Sequence, residues 1–143
     1  MADIFFATKD RSTVYQLPVL PPQFPEYSRS AKNEEFETYN NGIYNLPGNV
    51  SLYSFTLEGF LPAINKNYLF AKNKMNPHEL INFWGRAMEE KKPIRIIINR
   101  DKVSGLPTEA LNMLVTVEDM SHYEDKTGDV VYKLSFKEYR ELV

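Results

Sequence analysis

Residues 76–99 read NPHELINFWGRAMEEKKPIRIIIN, a helix signal that runs almost directly into a strand signal. Asn76 can cap, Pro77 suits the first helical position, and Glu79 falls three residues after the cap in a capping-box-like pattern. Leu80, Ile81, Phe83, Trp84, Ala87 and Met88 make one broad apolar stripe, while Glu79, Asn82, Arg86, Glu89 and Glu90 face away from it. Lys91 and Lys92 favour the negative end of the helix dipole, and Pro93 stops the helix. The spacing predicts a helix over about 76–92. IRIIIN at 94–99 follows as a strand with Arg95 its polar interruption.

Outward from this stretch the chain reads as strands. Toward the C-terminus, RDKVSGLPTE is a loop, and ALNMLVTVEDM (110–120) sets Leu111, Met113, Val115 and Val117 on one face. A polar turn, YEDKTGD, leads to VVYKLSFKEYREL, where Val130, Tyr132, Leu134 and Phe136 face in and Lys133, Ser135 and Lys137 face out. These two segments predict an antiparallel hairpin. Toward the N-terminus, IFFATKD and TVYQLPVLP predict a second hairpin, ended by Pro18, Pro21, Pro22 and Pro25. Residues 27–39 are polar and read as up to two short strands around Lys32-Asn33-Glu34. NNG at 40–42 and PG at 47–48 are turn signals bracketing IYNL.

One strand poses a question. VSLYSFTLEGFLP (50–62) predicts a strand over about 50–58, ended by Gly59 and Pro62, with Tyr53, Phe55 and Leu57 on one face. The other face carries Val50, Leu52, Ser54 and Thr56, with no charge before Glu58. Either that face meets other subunits or a channel, or the strand is buried on both sides beneath the helix and the 1–20 hairpin. The layout as a whole predicts a β-rich α+β domain, with the helix lying across a mostly antiparallel sheet or flanking a small barrel or sandwich.

Composition bounds the function. The chain has 143 residues, the size of one domain, and 13% of them are aromatic, a share that suits strands and interfaces. Seventeen Lys+Arg against nineteen Asp+Glu leave a net charge of −2, so neither nucleic acid nor an anionic membrane is indicated. Cysteine is absent, which excludes disulfides and thiolate metal sites and points to folding in a reducing cytosol. MADIFFATKD lacks the basic and apolar regions of a signal peptide, so Met1 reads as a true start, and no stretch is apolar enough for a membrane span.

Chemistry is thin. His78 and His122 are the available neutral-pH bases, and each reads as a surface residue without a catalytic partner. The acidic pairs Glu34-Glu35, Glu89-Glu90, Glu118-Asp119 and Glu124-Asp125 point apart on helix or strand, which suits solvated charge better than acid–base work. YEDKTGD lacks the ligand order of a calcium loop and reads as a turn. In NKNYLFAKNK (65–74), Lys66, Lys72 and Lys74 surround Tyr68 and Phe70, the basic–aromatic mix of single-strand binders. The same residues would also suit a loop that packs its aromatics on a neighbouring element. No catalytic residue, cofactor or metal ligand is expected.

Three stretches carry a resemblance: YNNGIYNLPGNVSLYSFTLEGFLPA, NPHELINFWGRAMEEKKPIRIIIN and the ending GDVVYKLSFKEYREL. In this order, over about residues 14–143, the chain resembles the N-terminal domain of the LysM-bearing baseplate, or tube-initiator, proteins of contractile phage tails, PBSX-type prophages and related bacteriocins. The resemblance implies a single tail-tube-like domain over 1–143: an antiparallel β-sandwich or barrel with one flanking helix. It implies a virion structural protein, assembled in the bacterial cytoplasm into a ring of about six copies. The ring would join the tail tube to the central hub or spike and meet other baseplate proteins. Tyr53, Phe55, Tyr68 and Phe70 are the candidate interface residues. The chain departs from the family in ending at Glu141-Leu142-Val143 where members often continue into LysM, so cell-wall binding is not carried over. Its 65–75 loop is also longer than the family leads one to expect. The rival readings are a small β-barrel that binds single-stranded nucleic acid, and an enzyme using His78 or His122.

Overall fold

Glu109–Glu124 forms a single strand of sixteen residues that belongs to two half-sheets at once. The computed structural model describes residues 2–63, 68–101 and 104–141. Its elements are β1 (Asp3–Thr8), β2 (Val14–Gln16), β3 (Glu34–Thr38), β4 (Gly42–Leu46), β5 (Ser54–Leu61), α1 (Pro77–Glu90), β6 (Ile94–Asn99), β7 (Glu109–Glu124) and β8 (Val130–Glu138). The main sheet has the order β2-β1-β6-β7-β8-β5 with every neighbour antiparallel. β3 and β4 form a separate two-stranded ladder.

The first half of β7 pairs with β6 and the second with β8, and the two partners share only Val115. A register shift between Val117 and Asp119 lies just past that handover. A strand that changes partners next to a bulge turns a corner in the sheet. The added residue also switches the inward parity: Val115 and Val117 point into the core before it, Met120 after it. The sheet curls enough that Phe6 of β1 and Phe136 of β8 stack with centroids 5.9 Å apart. In a flat sheet strands at these positions would lie roughly 14 Å apart. This is the β-rich α+β architecture that the layout of the sequence predicts, with the helix lying across a mostly antiparallel sheet.

The helix closes the concave side. Asn76 Oδ1 accepts from the His78 amide at 3.0 Å, and Lys91 ends the helix in the left-handed region at φ 57°. Leu80, Ile81, Trp84 and Ala87 are buried, and Trp84 meets Phe6 and Tyr132 at 5.2 Å each. Met88, the last position of the predicted stripe, is exposed. The core is one cluster drawing on β1, β5, α1, β6, β7 and β8.

Both predicted hairpins form, β1–β2 and β7–β8, and the prolines follow β2 at the sheet's edge. YEDKTGD is a turn in which Asp125 Oδ1 accepts from the amides of Thr127 and Asp129. Two readings shift. β5 begins at Ser54 rather than Val50, and Gly59 lies inside it. The reason is Tyr132: a Cβ at Gly59 would lie 2.9 Å from that buried hydroxyl oxygen, so glycine here makes room and does not end the strand. Val50–Tyr53 instead run along residues 28–31, with bridges Ser28↔Ser54 and Ala31↔Val50. Pro47-Gly48 is no chain reversal; a Cβ at Gly48 would collide with the Lys32 carbonyl oxygen where the two segments touch.

The face opposite Phe55 and Leu57 is therefore neither buried nor purely apolar. Thr56 and Glu58 are exposed there, opposite Ser135 and Lys133 of β8, and Lys133 Nζ meets Glu58 Oε1 at 3.3 Å. The helix covers the other face.

Candidate assembly surfaces

Reactive groups do not converge. His78 Nε2 lies 3.0 Å from Glu124 Oε1, but both side chains are more than half exposed, and His122 is on the surface. Among the described residues no group of three His, Asp or Glu could hold a metal ion, and no helix is long and apolar enough to cross a membrane. The strongly shifted titrating groups have structural causes. Burial pushes the Tyr132 phenol well above its ordinary range. Asp10 is lowered to about 2 by the Ser12 amide and then the Thr8 and Ser12 hydroxyls, as the carboxylate that ties the β1–β2 turn.

What the surface offers is apolar side chain, in three places. The first is an aromatic patch. On the outward side of the sheet, Phe60, Val131 and Tyr123 sit in register across β5, β8 and β7. The chain at 68–70 folds over this row: Tyr68 stacks on Phe70 at 5.0 Å, and their rings meet Phe60 edge-on at 6.0 and 6.4 Å. Asp129, buried, anchors it by accepting from the Tyr68 hydroxyl at 2.8 Å and the Ala63 amide at 2.9 Å. Leu69 stands 99% exposed at the crest and Phe70 60%. So these loop aromatics do pack on a neighbouring element, and the patch they complete faces outward. Lys66 of the same loop lies outside the described residues. Lys72 is held by Asp3 at 3.1 Å with a mostly covered side chain.

The second is an arm. Beyond β5, residues 28–33 run antiparallel to 49–54, joined by Ser51 N→Ser30 O and Lys32 N→Asn49 O, and the pairing continues into β3–β4. Eleven residues in extended pairing reach about 35 Å. A short loop closes it, with Gly42 at φ 82° and Thr38 Oγ1 donating to the Gly42 carbonyl. All of β4 is exposed, and β3 nearly so. One face of the ladder carries Phe36, Tyr44 and Leu46, with the two rings stacked at 5.5 Å, and Tyr39 stands fully exposed at the tip.

The third is a cleft of about 680 Å³ between the β1–β2 turn and α1. Tyr15 and Phe83, with rings 5.2 Å apart, and Ala87, Pro93 and Ile94 line it, and Arg86 stands on its exposed rim.

The four candidate interface residues scatter. Tyr68 and Phe70 come together in the patch. Tyr53 lies under the Arg29 guanidinium, 4.3 Å from its ring centre, with its main chain bonded to Glu138. Phe55, 4% exposed, sits in the chain's own core against Phe136 and Tyr27. Sequence reasoning did not single out the arm or the cleft. The exposed run Phe36, Tyr39, Ile43, Tyr44 and Leu46 was the available signal for the arm.

No protein-family model and no curated protein sequence matches this chain. Among solved structures, it is similar to the SPP1 tail tube, with TM-score 0.60 and 15% identity over 99% of this chain and 74% of that one. It is also similar to a chain of the anti-feeding prophage (AFP) baseplate, with TM-score 0.55 and 9% identity over 97% and 89%. At such identities the likeness is one of fold, and it runs nearly end to end.

Proposed function

We propose that this protein is a non-catalytic structural subunit of a phage or phage-like contractile tail. The observation that carries the reading is apolar surface left open, on patch, arm and cleft, by a chain whose fold matches a tail-tube subunit across 99% of its length. An exposed apolar area of this kind is completed by other chains. Within that class, the protein is the baseplate ring subunit: about six copies seat between the tube and the central hub, in a virion assembled in the host cytoplasm. The similar AFP chain belongs to a baseplate whose structure is described as 6-fold symmetrised. The motifs resembling tube initiators give the finer placement.

Among the described residues of the 65–74 loop, Tyr68 and Phe70 pack on Phe60 and Lys72 is paired with Asp3, which weakens the reading as a single-strand binder. Electron microscopy of the native particle at subunit resolution tests the proposal. The expected result is this fold as a closed ring at the tube–hub junction; its absence from that junction refutes the finer placement, and its absence from the particle refutes the whole.

A further inference from the structure

We infer that the β3–β4 arm of one copy seats in the α1 cleft of the next, the contact that closes the ring. This deepens the proposed assembly role and rests on it. A lone two-stranded ladder is at best marginally stable in water. This one nevertheless extends from the sheet edge with its aromatic face open. The occupant it fits is argued by charge and shape.

From Asn33 to Asn65 the chain has no Lys, Arg or His, and the arm residues 34–46 carry Glu34, Glu35 and Glu37, a charge of −3. None of the three carboxylates has an ion-pair partner among the described residues. The cleft carries Lys9, Arg86 and Lys92 against Asp10, Glu90 and the Glu141 that pairs with Lys9, that is 3 − 3 = 0. Lys9 is matched by Glu141 and Lys92 by Glu90, whereas the Arg86 guanidinium is likewise unmatched. An acidic arm without a cation and a rim whose Arg86 guanidinium is spare are complementary at that point. The volume, about 680 Å³, lies within the roughly 300–1,000 Å³ of pockets that enclose a bound group. It suits the rings of Phe36 and Tyr44, and the Tyr15–Phe83 pair offers them an aromatic wall. Arm and cleft are different surfaces, so the contact is heterologous, and repeating it head to tail makes a ring where the rotation closes.

Sedimentation velocity of the purified full chain up to millimolar concentration tests this, with three variants. Arg86→Glu, and separately Glu34→Lys with Glu35→Lys and Glu37→Lys, should each weaken self-association by about tenfold or more. Their combination should recover much of it, which a folding defect would not. Because the chain has no cysteine, Tyr39→Cys with Thr13→Cys, which keeps Arg86, should give an intermolecular disulfide ladder under mild oxidation. Assembly that survives both charge reversals unchanged overturns the seat while leaving the ring reading intact. A wild-type chain that stays monomeric throughout, or a disulfide formed only within one chain, overturns a copy-to-copy seat. Microscopy that finds no such subunit in the particle defeats the ring reading instead.

Discussion

Tyr132 is buried to 1% exposure and its hydroxyl has no hydrogen-bond partner among the described residues. An unsatisfied buried hydroxyl costs about 1–3 kcal/mol. Tyr132→Phe should therefore be neutral or stabilising by about 1 kcal/mol in denaturant titration. Gly59→Ala would set a methyl 2.9 Å from that oxygen and should cost about 1–3 kcal/mol by overpacking. In the Tyr132→Phe background the cost should fall, because the nearest remaining ring atom lies 3.3 Å away. An unchanged cost in the double-mutant cycle would contradict the packing argument. Asp10 gives a pH signature. Its pKa drops from 3.8 to about 2 on folding, so its contribution is fully present above pH 3.8 and is lost as pH falls through 2. The stability gap between wild type and Asp10→Asn should accordingly narrow between pH 4 and pH 2. Gly59 also shows a limit of reading sequence alone: a glycine that ends a strand and a glycine that admits a neighbour's hydroxyl look identical until the neighbour is known.

At the scale of elements, the legible parts were those whose pattern is dictated by one dry face. The helix stripe Leu80, Ile81, Trp84, Ala87 and the alternation Val130, Tyr132, Leu134, Phe136 follow from burial on a single side, and both proved buried. The arm has no such face in the monomer, so no periodicity marks it; Val50 and Leu52 continue the pattern of β5 in sequence yet lie beside residues 28–31. The β7 bulge was equally invisible, since a parity change at Glu118 follows from the exchange of partners at Val115 just before it. The arm's marginal stability is itself testable. Amides of β3 and β4 should exchange with deuterium far faster in the free chain than those of β8, and become protected on assembly. Gly48→Ala, which drives a Cβ into the Lys32 carbonyl, should displace the arm and weaken self-association. The midpoint of global unfolding should barely move, because no arm residue belongs to the core cluster. A large loss of stability would instead make the arm part of the folding unit.

Across the whole molecule, the candidate surfaces divide by what they can meet. Arm and cleft complement one another and so serve contact between copies, a role that leaves the aromatic patch over. Its crest, Leu69, is almost wholly exposed, and Tyr123 beside Phe60 and Val131 is 62% exposed, so neither supports the core beneath. Residues of this kind alter stability by no more than about 0.5 kcal/mol when replaced. The outward sheet beside it is polar at Glu58–Lys133 and at the hydroxyls of Thr56 and Ser135. In the proposed assembly the patch is therefore left for a chain other than a second copy. Leu69→Asp combined with Tyr123→Thr should preserve the unfolding midpoint and self-association yet abolish incorporation into particles, read by mass spectrometry of purified tails. The reversal at Arg86 should fail one step earlier, at self-association. If both variants fail at the same step, patch and arm contact the same neighbour, and the division between lateral and axial partners is wrong.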